Sequence, residues 1–205
     1  MTWKALIGIV TLGVCTTAAA STQAQPRGAA MANEICASCH GAKGNSPSPA
    51  FPKLAGQQKE YLVAQLKAFR DHTRADPMAQ VFMWGIASQL TDDTIAELAT
   101  YFASQKPSLG KRPAASLAQQ GHDIFERGLP TANVAPCVNC HGAHAEGNGV
   151  IPRLADQHAE YVLKQLASFK TQVRDPNATL MHTETGGMTF DQMMAVAAFV
   201  SRSQD

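Results

Sequence analysis

An all-α fold in which one domain is built twice follows from three features of the 205-residue sequence. Blocks of residues recur at an interval of about 100, the mark of an internal duplication. Within each copy apolar residues return every three or four positions, the period of a helix buried along one face. No stretch alternates apolar and polar residues convincingly with the period of two that a half-buried strand requires.

The chain opens with a targeting segment. Lys4 precedes an apolar run from Ala5 to Cys15 and the small-residue stretch Ala18-Ala19-Ala20-Ser21-Thr22-Gln23-Ala24. A basic start, a short apolar run and an Ala-x-Ala site predict a secretory signal peptide over residues 1–24, with cleavage after Ala20 or after Ala24 fitting alike. The run is too short to span a bilayer. Val14 stands before Cys15, where a lipoprotein site would carry a small residue, and this argues against lipidation. The expected mature protein is exported to the periplasm with four cysteines and 16 residues of each charge sign.

Composition narrows the function classes. The formal net charge of +1 leaves no basic excess to neutralise phosphates, so nucleic acid is not an expected partner. No window of 18 apolar residues exists, which excludes a polytopic membrane protein. Five cysteines are too sparse for a disulfide scaffold. Aromatic residues make up only 6% of the chain. Two domains of roughly 90 residues are marginal on side-chain burial alone, so something else is expected to fill their cores.

The duplication can be read residue by residue. Cys36-Ala37-Ser38-Cys39-His40-Gly41-Ala42 returns as Cys137-Val138-Asn139-Cys140-His141-Gly142-Ala143, and Pro52-Lys53-Leu54-Ala55 returns as Pro152-Arg153-Leu154-Ala155. Gln57, Tyr61, Gln65, Leu66, Phe69 and Arg74 match Gln157, Tyr161, Gln165, Leu166, Phe169 and Arg174. Asp76-Pro77 pairs with Asp175-Pro176, and Thr91 with Thr189. The prolines, glycine and charges from Lys106 to Pro113 mark the join as an exposed linker. The expected organisation is a first domain over residues 25–106, a linker over 107–116 and a second domain over 117–205.

Each copy shows the same order of elements. Short helices are expected from about Gly28 to Cys36 and from about Leu117 to Arg127, followed by a loop rich in Gly, Pro and Asn. Amphipathic helices follow from Gln57 to about Thr73 and from Gln157 to about Val173. A last helix begins after Thr91 as N-cap, with Asp92 and Asp93 in its first turn and Ile95, Leu98, Ala99 and Phe102 along one face.

Cys-x-x-Cys-His is the attachment signal for c-type haem. Two thiols three residues apart add to the two vinyl groups on one porphyrin edge, and the next residue then sits under the ring as an iron ligand. Cys36 and Cys39 with His40, and Cys137 and Cys140 with His141, are therefore the expected haem sites. A disulfide or half of a zinc site is the alternative for each motif. The histidine in both copies and the export signal argue for two covalently bound haems c. A large apolar disc in each core also answers the shortage of aromatic residues.

The two motifs, the Pro52-Lys53-Leu54-Ala55-Gly56-Gln57 run and the two-domain length resemble diheme cytochromes of the cytochrome c4 type. The resemblance covers essentially the whole mature chain. It implies two class I cytochrome c domains packed face to face, histidine and methionine as axial ligands, and an electron carrier rather than an enzyme. Partners implied are a respiratory donor and a terminal oxidase, or a dehydrogenase of which the cytochrome is a subunit; peripheral association with the membrane is compatible with both.

Register selects the methionine. Eight residues before Thr91 lies Met83, and eight before Thr189 lies Met181. Met78 instead matches Asn177, which is not a typical iron ligand, and Met188 matches Leu90 and belongs to the core. Met193 and Met194 are read as helix gap-fillers. His182 adjoins Met181 as a rival ligand, but its match is Trp84. Class I cytochromes hold the ligand histidine through a proline carbonyl about a dozen residues on, which points to Pro52 and Pro152. Arg74 and Arg174 could pair with propionates or cap a helix. His72, His122, His144 and His158 have no matched histidine and are expected at the surface. With both axial positions filled the iron has no open face, which suits single-electron transfer and argues against a peroxidase.

Overall fold

The structure, a computed structural model, describes residue 1 and residues 27–174 and 179–202. The expected signal peptide with Cys15, and the register positions Asp175, Pro176 and Asn177, lie outside the described residues. The first domain runs through α1 (Arg27–Met31), a π-helical turn (Ala32–Cys36), α2 (Ala37–His40), α3 (Lys59–Arg70), a second π-helical turn (Ala79–Met83), α4 (Trp84–Ala87) and α5 (Asp92–Ala103). The second contains α6 (Ala115–Arg127), α7 (Val138–His141), α8 (Ala159–Lys170), α9 (Thr179–Gly186) and α10 (Phe190–Val200). Among the described residues the only β-structure is two isolated bridges, Leu129 to Val134 and Asn148 to Ile151. No described helix is long and apolar enough to cross a membrane.

Local chemistry sets the helix ends. Thr91 Oγ1 accepts from the Thr94 backbone N–H, satisfying a donor that the first turn of α5 leaves open. Thr189 and Gln192 form a reciprocal capping box at α10, with Gln192 N–H donating to Thr189 Oγ1 at 3.2 Å and Thr189 N–H to Gln192 Oε1 at 2.8 Å. Ile95, Leu98, Ala99 and Phe102 are buried together with Leu62 and Phe69 of α3, as the periodicity predicts. The second core gathers Phe125, Val162, Ala197, Phe199 and Val200.

Where the first and last helices of each domain cross, a glycine allows close approach. A Cβ at Gly28 would run into Glu97 of α5, and one at Gly121 would run into the Ala195 carbonyl of α10. This pair shows where the copies differ. The attachment motif follows eight residues after Gly28 but sixteen after Gly121. In the first domain the helix runs directly into Cys36. In the second it stops at Gly128, whose φ is 68°. The additional residues form a loop around a 3-10 turn (Pro130–Ala132) that contributes Val134 to a small cluster with Met188, Met193 and Val196.

The linker is pinned rather than free. Lys53 Nζ donates to the Ser108 and Leu109 carbonyls at 3.0 and 3.1 Å, Gly110 N–H donates to Asp156 Oδ1, and Ser108 N–H donates to Asn45 Oδ1. Both domains therefore hold the join by side-chain bonds.

Candidate haem sites and the seam between them

The two attachment motifs fold alike. Cys36 closes the first π-helical turn, and Cys39 and His40 lie on α2. Cys137 caps α7, which carries Cys140 and His141. Gly41 and Gly142 then end the helices with φ of 72° and 82°, a region that residues with a Cβ seldom enter. All four thiols are free. Burial raises the pKa of Cys36, and burial followed by the Glu184 carboxylate pushes that of Cys137 up to about 11. An unmodified chain thus keeps its more buried thiol of each pair protonated near neutral pH.

His40 and His141 are 7% and 8% exposed. Their Nδ1 atoms lie 2.9 Å from the Pro52 carbonyl and 3.0 Å from the Pro152 carbonyl, so the proline reading holds in both copies. Burial lowers both imidazole pKa values. A neutral ring that donates through Nδ1 leaves the Nε2 lone pair for a metal.

Met83 ends the second π-helical turn, half-buried against the same cluster that contains Cys36, Leu54 and Leu66. Met181 is half-buried on α9. Met188 and Leu90 are both buried core residues, as their register suggests. His182, the rival to Met181, has its Nδ1 3.1 Å from the Phe169 carbonyl. Trp84, at the same register, donates Nε1–H to the Arg74 carbonyl at 2.9 Å. Both rings therefore tie the methionine segment to the chain at the end of the preceding long helix.

The donor set of each domain is two free thiols, one imidazole with an available Nε2 and one thioether. This fits a covalently attached haem with histidine and methionine as axial ligands. Among the described residues no group of three or more His, Cys, Asp or Glu side chains gathers as an ion site, which leaves the zinc alternative without a ligand set.

Between the domains lies a polar seam with approximate twofold symmetry. Gln57 brackets Arg153, donating Nε2–H to its carbonyl at 2.9 Å and accepting its N–H at 2.7 Å. Gln157 brackets Lys53 in the same way, at 2.9 Å for both bonds. Gln58 donates to the Glu146 and Gly147 carbonyls, and His158 Nε2 lies 2.9 Å from the Ser46 carbonyl. His158 therefore has a matched partner after all, a glutamine. His72 is exposed, as expected, and stacks on Trp84 at 4.1 Å between centroids, whereas His122 is half-buried and meets Phe199 edge-on.

Arg74 and Arg174 sit at the centre of this seam, 5% and 6% exposed. Arg74 donates to Gln65, Gln165, Tyr161 and Asp76, and Arg174 donates to Gln165, Gln65 and Tyr61. Each guanidinium also lies over the phenylalanine of its own domain, Phe69 or Phe169. Burial works against the Arg74 charge, but Tyr161, Tyr61 and Asp76 outweigh it and raise the pKa. Burial alone would raise the Tyr61 phenol, yet Arg174 and Arg74 hold it below its ordinary value. None of these side-chain bonds goes to an open helix end. Sequence reasoning missed the seam, whose signal was the repetition of polar Gln57, Tyr61, Gln65 and Arg74 on helices otherwise matched by their apolar faces.

Known proteins agree with this architecture. The Cytochrome c family matches residues 26–106 and 119–204. A cytochrome c4 of Pseudomonas aeruginosa is 35% identical over 196 residues, covering 94% of both chains. A thiosulfate dehydrogenase electron acceptor of Thiomonas intermedia is 36% identical over 206 residues, covering 97% of this chain and 90% of its own. The solved cytochrome c4 of Acidithiobacillus ferrooxidans superposes with a TM-score of 0.76 at 40% identity, covering 81% of this chain and 97% of that one. Two matched domains joined along a polar seam, with these relatives, place this chain in the cytochrome c family among the diheme cytochromes of the c4 type, electron carriers with two covalently bound haems c.

Proposed function

We propose that Cys36 and Cys39 attach one haem and Cys137 and Cys140 the other, with His40 and Met83 as axial ligands in the first domain and His141 and Met181 in the second. The protein then passes single electrons in the periplasm from a respiratory donor to an acceptor such as a terminal oxidase. The observation that carries this reading is the pair of His Nδ1 to proline carbonyl bonds, which orient two buried neutral imidazoles in the same way. When bound, the haem iron supplies a one-electron couple. An imidazole and a thioether supplied by this chain would set that couple higher than two nitrogen ligands and would leave the iron no position for a substrate. The chain contributes burial, fixed imidazole tautomers and a seam that holds the two sites in one unit.

A second reading has specific support. The thiosulfate dehydrogenase electron acceptor of Thiomonas intermedia aligns over nearly the whole of this chain, which favours a role as the cytochrome partner of a periplasmic dehydrogenase. Periplasmic extract passed over the tagged holoprotein separates the two. Retention of a dehydrogenase that reduces the cytochrome on addition of its substrate supports the partner role. Reoxidation of the free reduced protein by oxidase-containing membranes supports the carrier role, and failure of both overturns the proposal.

A further inference from the structure

The seam touches the two sites at one atom-level relationship. His40 donates Nδ1–H to the carbonyl of Pro52, and the N–H of that same peptide group belongs to Lys53. That N–H donates to Gln157 Oε1 of the second domain at 2.9 Å. In the mirror arrangement His141 bonds the Pro152 carbonyl, and the N–H at the other end of that peptide, on Arg153, donates to Gln57 Oε1 of the first domain at 2.7 Å. Each glutamine closes its grip through Nε2 on the next carbonyl, Lys53 O or Arg153 O, at 2.9 Å. Each also accepts from the backbone N–H of its own successor, His158 at 3.1 Å or Gln58 at 2.9 Å, which fixes the amide plane. Gln57 and Gln157 are themselves buried.

We propose that Gln157 and Gln57 are positioning residues that act across the seam, each completing through one peptide group the hydrogen-bond chain that orients and polarises the histidine ligand of the opposite domain. The inference rests on the reading that His40 and His141 bind the two irons. Hydrogen bonds in series strengthen one another inside a protein, because an amide whose N–H is engaged presents a more negative carbonyl oxygen. A stronger acceptor at Nδ1 makes the imidazole a better electron donor through Nε2. Better donation favours the oxidised metal, so each glutamine lowers the reduction potential of the haem it does not share a domain with. The arrangement also means that loosening the seam is felt at both ligands.

The test is an NMR-monitored redox titration of the holoprotein that resolves the Nδ1–H signals of His40 and His141 separately. In the wild type both signals should be strongly shifted by the paramagnetic oxidised iron. Absence of that shift would overturn the ligand reading itself, and it is distinguishable from any failure of the crossed pattern between the domains. Gln157→Leu should raise the potential measured at His40 and move the one at His141 less. Gln57→Leu should do the reverse. Gln58→Leu cuts seam bonds to Glu146 and Gly147 without touching either peptide, and should produce no such crossed pattern. Equal movement at both histidines, a larger shift in the domain carrying the substitution, or the same pattern from Gln58→Leu would overturn the inference. If Gln157→Leu separates the domains, Gln157→Met preserves length and volume while removing the amide. Amide exchange in the wild type supplies a further check, since an unprotected Lys53 N–H would also refute it.

Discussion

Gln65 and Gln165 each accept hydrogen bonds from both buried arginines. Gln65 Oε1 lies 2.7 Å from Arg74 and 3.1 Å from Arg174, and Gln165 Oε1 lies 2.7 Å from Arg174 and 3.0 Å from Arg74. Two like charges thus share a buried site through acceptors supplied by both domains, with Asp76 beside one of them. Such a cluster costs desolvation and is held only while every donor stays engaged.

Arg74→Ala should therefore destabilise the protein by about 3–5 kcal/mol, because it leaves the buried Asp76 carboxylate without its cation and takes one of two donors from Gln65 and from Gln165. Thermal unfolding measures the loss. Lys67→Ala removes an ion pair to an exposed aspartate and should leave the midpoint nearly unchanged.

The ligand assignment gives a spectroscopic expectation. Met83→Ala and Met181→Ala should each remove about half of the weak long-wavelength band of a sulfur-ligated oxidised haem, while both haems stay attached through their cysteines. Met78→Ala should leave the band intact. Loss of the band in Met78→Ala would move the first ligand five residues back.

The proline acceptors followed from the resemblance to class I cytochromes, while the attachment motifs, the helix cap at Thr91 and the core face of α5 were legible in the sequence itself. Each rests on short-range spacing or on one residue type with one dominant use. The seam was not legible, because the same amphipathic pattern that buries Leu62 and Phe69 also carries Gln65, and periodicity cannot say that a polar face meets another domain. The longer approach to Cys137 was hidden for a different reason. Its only register mark is Gly121 against Gly28, and a glycine carries no side chain to match. His158 has no histidine at its matched position, yet that position asks only for a ring or amide that reaches a carbonyl.

His158 gives a pH expectation. Burial first, with Lys53 and Lys111 nearby, lowers its pKa from the usual 6.5 although the Ser46 carbonyl opposes this. The unfolded chain then takes up a proton more readily than the folded one. Stability is fully present above pH 6.5 and falls as the pH drops from there toward the folded-state pKa. His158→Gln, which copies Gln58, should flatten this part of the stability profile, and an unchanged slope would show that another group sets it.

The second domain has a tether that the first lacks. Glu184, one turn beyond Met181, accepts from the Ala135 N–H at 2.7 Å and so joins the methionine helix to the segment leading into Cys137. Its counterpart in the first domain is Ile86, which is exposed. Glu184→Ala should make the sulfur ligation of the second haem yield at a lower temperature, while Ile86→Ala leaves the first unchanged. Monitoring the long-wavelength band during heating reads both.

The most direct measurement is the intact mass of the exported protein, set beside a variant in which Cys36 and Cys39 are both serine and another in which Cys137 and Cys140 are. Two covalent haem sites predict two haem masses on the wild-type chain that survive acid–acetone extraction, and one on each variant. A wild-type chain that retains a single haem, or a variant that still retains two, would contradict them.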